Sequence, residues 1–143
     1  MIIPESRWKM KEYTLITNNP LVKKENENGL LASEDSISLK FCSDLEKVMI
    51  EARDLIHKGY NLISHPLAGS VKPGQNPYRS ILVEKDTKLN YDSLKTMEKS
   101  IQKLKQFQKN KVNKNYPPEI LEDYQVIDYS LISSGIKSLT NKN

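Results

Sequence analysis

Short β-favouring runs alternate with helical patterns along the first two-thirds of this chain, and this alternation constrains the fold more than any other feature. Residues 13–17, 37–41, 61–64 and 80–84 are short, largely apolar runs between polar or turn-forming residues, and they predict four strands. Between the second and third runs, an apolar stripe over residues 45–56 predicts an amphipathic helix. Interleaved strands and helices predict an α/β fold, in the form of a small layered domain with a short, largely parallel sheet flanked by helices.

The ends of that helix carry recognisable boundary signals. Residues 43–46 read Ser-Asp-Leu-Glu, a capping box in which Ser43 and Glu46 satisfy the first free N–H groups of the helix. Gly59 follows two basic residues and is a typical helix terminator. Residues 23–35, rich in Asn, Glu and Lys, are expected to form a mobile connection with one helical turn at its start.

The C-terminal part of the chain predicts two long helices. Apolar residues recur at spacings of three and four from Leu94 to Phe107, which indicates a helix capped near Asn90. Pro117 and Pro118 end it and start the next helix. The predicted apolar face of that last helix consists of Ile120, Tyr124, Ile127 and Leu131. The lysine-containing tail, residues 137–143, is expected to fray.

Length and composition favour one domain spanning residues 1–143, because a chain of 143 residues can bury a substantial single core. No stretch approaches the roughly 18 apolar residues of a membrane span, so a cytoplasmic protein without membrane contact is expected. Cys42 is the single cysteine, so it can form neither an internal disulfide nor a dithiol redox pair.

The formal net charge of +4 arises partly from one lysine-rich helix. Residues 95–114 hold seven lysines against one acid, Glu98. That stretch has no interleaved aromatic pairs and no arginines, so a solvated helix face is a better interpretation than a nucleic-acid interface. Nucleic-acid binding is therefore disfavoured.

The segment 64–80 differs from the rest of the chain in composition. It contains three of the seven prolines and two of the five glycines. Proline restricts the backbone and glycine permits conformations closed to other residues, so the segment is expected to follow one specific path. From residue 55 to residue 83 there is no Asp or Glu, and the local field is expected to be positive. Such a loop suits phosphate, acyl phosphate or carboxylate. The alternative is a proline-stiffened surface loop whose charges are solvated.

A second pattern extends this predicted site to the end of the first strand. If the first strand and the strand at 61–64 are parallel neighbours, Asn18, Asn19 and His65 meet at their carboxyl ends, where open α/β sheets bind ligands. His65 is the only residue of the loop whose side chain ordinarily has a pKa near neutrality, so it is the candidate for proton transfer. The predicted ligand-binding residues are Asn18, Asn19, His65, Gly69, Ser70, Lys72, Asn76, Tyr78, Arg79 and Ser80.

Several catalytic signatures are absent from the sequence. Gly69 to Lys72 lacks the spacing of a phosphate-binding P-loop, and Ser70 is not flanked as in a nucleophile elbow. Two histidines and one distant cysteine form no credible metal set, and the loop has no carboxylate pair. No cofactor and no metal are predicted.

Three stretches together resemble the GrdX family: residues 15–22 (LITNNPLV), residues 53–59 (RDLIHKG) and the run 65–80 (HPLAGSVKPGQNPYRS). The resemblance covers about residues 15–84 and is most specific in its last motif. It implies a small protein encoded beside the subunits of glycine, sarcosine and betaine reductases in amino-acid-fermenting anaerobes, with an accessory role. Glycine reductase chemistry passes through acetyl phosphate, so an anionic ligand would fit the basic loop.

Three functional hypotheses follow. The first is a non-catalytic accessory or regulatory protein of the glycine reductase system that binds a small anionic metabolite or a reductase subunit through the 64–80 loop. The second is an acyl- or phosphoryl-transfer enzyme with His65 as acid/base, with Lys72 and Arg79 neutralising developing charge. The third is a protein-interaction module that uses an apolar helix face. A non-catalytic role is favoured because no nucleophile is identified.

Overall fold

The computed structural model describes residues 11–31, 36–66, 75–109 and 115–140. Within these ranges it contains four strands and four helices. In chain order they are β1 (Glu12–Thr17), α1 (Pro20–Glu27), β2 (Ser36–Phe41), α2 (Leu45–His57), β3 (Tyr60–Leu62), β4 (Ser80–Lys85), α3 (Tyr91–Lys109) and α4 (Pro118–Thr140). The α/β class, the flanking helices and the long C-terminal helices are confirmed.

The sheet is mixed, and the prediction of a largely parallel sheet is wrong. Its strand order is β2-β1-β4-β3; β1 and β2 are parallel, whereas β4 is antiparallel to both β1 and β3. The connection from β3 to β4 returns the chain to the edge where β3 ended, so β4 must run in the opposite direction. Apolar runs reveal which segments are strands but not their direction.

Side chains from the sheet enter two cores, one on each face. Ile16, Ile81 and Val83 pack with residues of α2 and α3, whereas Leu15 and Leu82 pack with residues of α1 and α4. Successive strand residues point to opposite faces of a sheet, which explains this division between adjacent positions. The result is three layers, with α2 and α3 on one side of the sheet and α4 on the other.

Helix boundaries follow local chemistry, with small departures from expectation. The N-cap of α2 is Asp44 and not Ser43, since the Asp44 carboxylate accepts from the backbone N–H of Lys47 at 2.8 Å. Gly59 ends this helix with φ of 104°, a conformation that favours glycine. Asn90 caps α3 as expected, and its Oδ1 accepts from the N–H of Ser93 at 2.9 Å.

The segment after β1 is more helical than expected. Residues 20–27 form α1, two helical turns in place of the single turn predicted at the start of a mobile connection. Asn19 is its N-cap and Pro20 stands in its first turn, where a missing N–H costs nothing. The sequence prediction places Asn19 only in the ligand site and does not include this capping role.

The predicted apolar face of α4 is wrong. Ile120, Ile127 and Leu131 are 39%, 47% and 42% exposed. The face that packs on the sheet instead includes Asp128, Ile132 and Ile136, all buried. The helix continues through Thr140, so residues 137–140 are helical, and fraying of the tail remains a prediction.

Candidate functional site

The candidate site lies at the sheet edge where β1 and β3 end and β4 begins. Thr17 pairs with Ser80, and the backbone N–H of Ile63 donates to the carbonyl of Leu82 at 2.9 Å. The expectation that β1 and the β3 strand are direct neighbours is wrong, since β4 separates them. Both strands still end at the same edge, because β4 is antiparallel to each of them.

Asn18 ties the end of β1 to the segment that leads into β4. Its Nδ2 donates to the carbonyl of Pro77 at 2.8 Å, and its Oδ1 accepts from the N–H of Arg79 at 2.8 Å. Both polar ends of this amide are therefore engaged by backbone. Asn18 fixes the path of the chain before β4 and does not line the pocket that contains Arg79.

Asn19 is fully buried and makes contacts with two helices. Its Oδ1 accepts from the N–H of Leu21 at 2.9 Å, which caps α1. Its Nδ2 donates to the carbonyl of Gln125 at 2.9 Å and to Oδ2 of Asp128 at 3.0 Å. An amide is required here, because the same side chain must present both an acceptor and donors.

Two hydroxyls continue this network to the sheet. Ser80 donates to Oδ2 of Asp128 at 2.7 Å, and the oxygens of Ser80 and Thr17 are 2.8 Å apart. Since Ser80 has one proton and gives it to the carboxylate, Thr17 must be the donor to Ser80. Thr17 in turn accepts from the N–H of Asn19 at 3.0 Å. Asp128 is therefore the terminal acceptor of a buried chain of hydrogen bonds.

Asn76 and Tyr78 anchor the end of the 64–80 segment to α4. Nδ2 of Asn76 donates to the carbonyl of Tyr124 at 3.1 Å, while its Oδ1 accepts from the N–H of Tyr78 at 2.9 Å. The Tyr78 hydroxyl accepts from Nε2 of Gln125 at 3.0 Å. These contacts hold the chain that delivers Arg79 and Ser80 to β4.

A pocket of about 270 Å³ opens between this edge of the sheet and α4. His65, Arg79, Ser80 and Asp128 border it on its polar side. Its remaining lining is mostly aliphatic and consists of Ile63, Leu82, Leu131, Ile132 and Leu139, with Ser64, Gly135 and Ser138.

The two charged residues of the pocket are almost completely buried. Arg79 and Asp128 are each 4% exposed, whereas His65 is exposed. Burial lowers the pKa of Arg79 from its usual value, and the negative charge of Asp128 opposes that shift. The guanidinium still remains charged, because the pKa of arginine starts so high. The pocket therefore holds fixed charges of both signs.

The sequence-predicted residues fall into three groups in the structure. His65, Arg79 and Ser80 meet at the pocket. Asn18, Asn19, Asn76 and Tyr78 lie beside it and position its walls through the hydrogen bonds above. Gly69, Ser70 and Lys72 lie outside the described residues, and their proposed roles remain predictions.

Asp128 is the residue that sequence reasoning missed. The 64–80 segment is free of acids in sequence, but α4 brings a carboxylate against Arg79 and Ser80, so the expectation of an acid-free environment is wrong. One signal in the sequence points to Asp128. It precedes Ile132 and Ile136 by four and eight residues, which places it on the same helical face.

Asn18 and Tyr78 also border a separate open recess of about 460 Å³ beside the start of α2. Asp44 and Glu46 contribute acids to that recess, which makes it a poor match for an anion. The described ranges contain no group of three or more His, Cys, Asp or Glu side chains that could hold a metal ion. Of the helices in the described part, none is long and apolar enough to cross a membrane.

A comparison with models of known protein families gives a match over most of the chain. The family model described as GrdX-like protein matches residues 14–137. That range extends well beyond residues 15–84, which carry the sequence resemblance, and includes α3 and most of α4. Neither the curated proteins nor the solved structures yield a match.

Proposed function

The chain belongs to the GrdX-like protein family, and from that premise we propose that it is a non-catalytic accessory or regulatory protein of the glycine reductase system. Its proposed task is to bind a small metabolite that carries a carboxylate or phosphate group. The family resemblance supplies the setting, because it implies a protein encoded beside glycine, sarcosine and betaine reductase subunits. The pocket between β4 and α4 is the proposed binding site.

One observation carries the ligand proposal, namely the burial of Arg79 at the pocket. A guanidinium offers five N–H donors in a planar fork that matches carboxylate and phosphate oxygens. Held in a recess with aliphatic walls, such a group attracts an anion more strongly than it would in water. Since drug-sized ligands occupy roughly 300–1,000 Å³, a pocket of about 270 Å³ is suited to a smaller metabolite.

Calorimetry and thermal unfolding of the full chain test this proposal. The probes are acetyl phosphate, inorganic phosphate, acetate and glycine. A ligand at 100 times its Kd stabilises the folded state by about 2.7 kcal/mol, which a thermal shift detects readily. Arg79→Lys keeps the charge but loses the fork, and it should weaken binding at least tenfold.

Arg53→Lys is the matched control, because Arg53 lies on α2 and pairs with Asp54 at 3.8 Å, away from the pocket. It should leave binding unchanged. Lys72→Ala tests the sequence prediction for the loop separately. The ligand proposal is wrong if none of the four probes, and no other small carboxylate, phosphate compound or amino acid, stabilises the wild-type chain.

An acyl- or phosphoryl-transfer enzyme is a second candidate, favoured by the position of His65 beside the pocket that contains Arg79. An exposed imidazole can exchange protons with solvent and with a bound ligand. Ser80 is only 7% exposed, and its oxygen accepts from Thr17, so it is not assigned as a nucleophile. Turnover of acetyl phosphate should fall at least tenfold in His65→Ala, and equal turnover in the variant and the wild type would eliminate this candidate.

A protein-interaction role is a third candidate, favoured by the exposed stripe of Ile120, Ile127 and Leu131 on α4. Three aliphatic side chains at one helical face are characteristic of a docking surface. We propose a glycine, sarcosine or betaine reductase subunit as the occupant. Acids at positions 119, 122 and 123 border the stripe, so the matching surface should be basic at its rim.

Size-exclusion chromatography with purified reductase subunits tests this candidate. Ile127→Asp should abolish comigration by placing a charge at the centre of the stripe. Glu122→Gln, an exposed change elsewhere on the same helix, should weaken it only slightly. Comigration that survives Ile127→Asp would show that the stripe is not the interface.

A further inference from the structure

The charged residues that line the pocket indicate a narrower class of ligand than anions in general. Arg79 and Asp128 both border it, and both are buried to the same extent. Arg79 directly precedes β4, and Asp128 lies in the middle of α4. A ligand in the pocket therefore meets a fixed positive and a fixed negative group.

The carboxylate of Asp128 has acceptor capacity to spare. Its Oδ2 accepts from both Ser80 and Asn19. Its Oδ1 receives no hydrogen bond from any group in the described ranges. A carboxylate has about four lone-pair sites, so Asp128 can accept a further hydrogen bond from a donor on a ligand.

A ligand with only one charge is poorly matched to this pair. Like charges repel, and the repulsion is stronger at a buried site than in water. A simple carboxylate that reaches Arg79 meets this repulsion from Asp128, and a simple amine that reaches Asp128 meets it from Arg79. A ligand with both charges gains at each end.

The aliphatic part of the pocket supplies the third element of recognition. Ile63, Leu82 and Ile132 offer apolar surface beside the charged groups. A small aliphatic side chain that contacts these walls is removed from water, which favours binding. Glycine, which has no side chain, gains nothing from these walls.

We infer that the pocket binds a small aliphatic α-amino acid in its zwitterionic form, with the carboxylate toward Arg79, the ammonium toward Asp128 and the side chain against the aliphatic wall. This inference rests on the proposed ligand-binding function and names the class of ligand. Binding is by charge, hydrogen bonds and apolar contact, and it involves no covalent step.

Isothermal titration of the full chain with three matched compounds tests the inference. L-Valine carries both charges, 3-methylbutanoate lacks the ammonium, and isobutylamine lacks the carboxylate. L-Valine should bind at least tenfold more tightly than either analogue. It should also bind more tightly than glycine, by the contribution of the aliphatic wall.

Variants separate the role of Asp128 from general effects. Asp128→Asn should weaken L-valine at least tenfold while leaving 3-methylbutanoate unchanged or tighter, because the repulsion has been removed. Asp123→Asn, an exposed change on the same helix, should change neither affinity. If Asp128→Asn does not fold, the three-compound series on the wild-type chain decides the question alone.

The outcomes distinguish this inference from the function on which it rests. If 3-methylbutanoate binds the wild-type chain as tightly as L-valine, the zwitterion inference is overturned while anion binding stands. If no amino acid, carboxylate or phosphate compound binds, both the inference and the proposed ligand-binding function are wrong.

Discussion

Asn19→Asp is the substitution that tests the buried network most sharply, because general rules and this structure predict opposite results. Asp and Asn are equally good N-caps, so local helix rules expect almost no change in stability. In the structure, however, Nδ2 of Asn19 donates to the carbonyl of Gln125 at 2.9 Å and to Oδ2 of Asp128 at 3.0 Å. An aspartate retains the cap to Leu21 but loses both donors and places a second carboxylate against the first.

The expected loss in the free energy of unfolding follows from those two hydrogen bonds. Loss of the bond to a neutral carbonyl costs about 1 kcal/mol, and loss of the bond to a carboxylate costs about 1.5–3 kcal/mol, so the sum is about 2.5–4 kcal/mol. Repulsion between the two carboxylates adds to this cost until one of them takes up a proton. The variant should therefore lose at least about 2.5 kcal/mol at pH 7.

The repulsion also predicts a dependence on pH. In the variant, repulsion between the two adjacent carboxylates raises the pKa of one of them above the unfolded value of about 3.9. The cost of the substitution is then fully present above the folded-state pKa and diminishes as the pH falls through it. The difference in unfolding free energy between wild type and variant should become smaller as the pH is lowered from 7 to about 5.

Urea unfolding followed by circular dichroism measures both effects. Asn90→Asp is the matched control, since Asn90 also caps a helix through Oδ1 but has no buried carboxylate as a partner. It should change the unfolding free energy by less than about 0.5 kcal/mol. A loss in Asn19→Asp no greater than in Asn90→Asp would refute the network assigned here.

Three further predictions concern other parts of the fold. Gly135→Ala should stabilise the chain by about 0.5–1 kcal/mol, because the added Cβ would have no described atom within 4 Å. Gly59→Ala should destabilise it by about 1–3 kcal/mol, because φ is 104° and the added Cβ would lie 3.1 Å from the backbone carbonyl oxygen of Asp86. Urea unfolding measures both changes. Ser80→Ala should lower the free energy of unfolding by about 1–3 kcal/mol, because it breaks the chain of hydroxyl hydrogen bonds to Asp128. Ser100→Ala loses only a hydrogen bond within its own helix, so in the same assay it should change the free energy of unfolding by less than about 0.5 kcal/mol. Burial raises the pKa of the Cys42 thiol. Alkylation by iodoacetamide at pH 8 should therefore be slower in the folded chain than in urea, because less of the thiol is ionised. Equal rates would show that Cys42 is not buried as the structure has it.

Strand and helix positions could be predicted from the sequence, but strand direction could not. Runs such as residues 80–84 identify β4 because β-favouring apolar residues stand between turn signals. Direction depends on which edge the preceding loop returns to, and the 64–80 segment gives no local signal for that. The mixed sheet is consequently a property of the tertiary arrangement.

Only part of the candidate site could be predicted from the sequence, for a similar reason. His65, Arg79 and Ser80 come from one stretch of sequence, so composition alone drew attention to them. Asp128 enters from a helix 48 residues beyond Ser80, and its contact with that serine depends on how α4 is rotated. An estimate of the local field from neighbouring residues in sequence omits such a charge, which changes the expected ligand from a simple anion to a zwitterion.

The rotation of α4 connects the pocket with the exposed stripe. Two faces of α4 are apolar, one with the exposed Ile120, Ile127 and Leu131 and the other with the buried Ile132 and Ile136, so burial of apolar surface alone does not decide the rotation. The observed rotation also buries Asp128, whose carboxylate accepts from Asn19 and Ser80. Burying a carboxylate is unfavourable unless it is hydrogen-bonded and near an opposite charge, and Asn19, Ser80 and Arg79 provide both. The polar network thus favours the observed rotation, which completes the pocket and leaves the stripe of Ile120, Ile127 and Leu131 exposed.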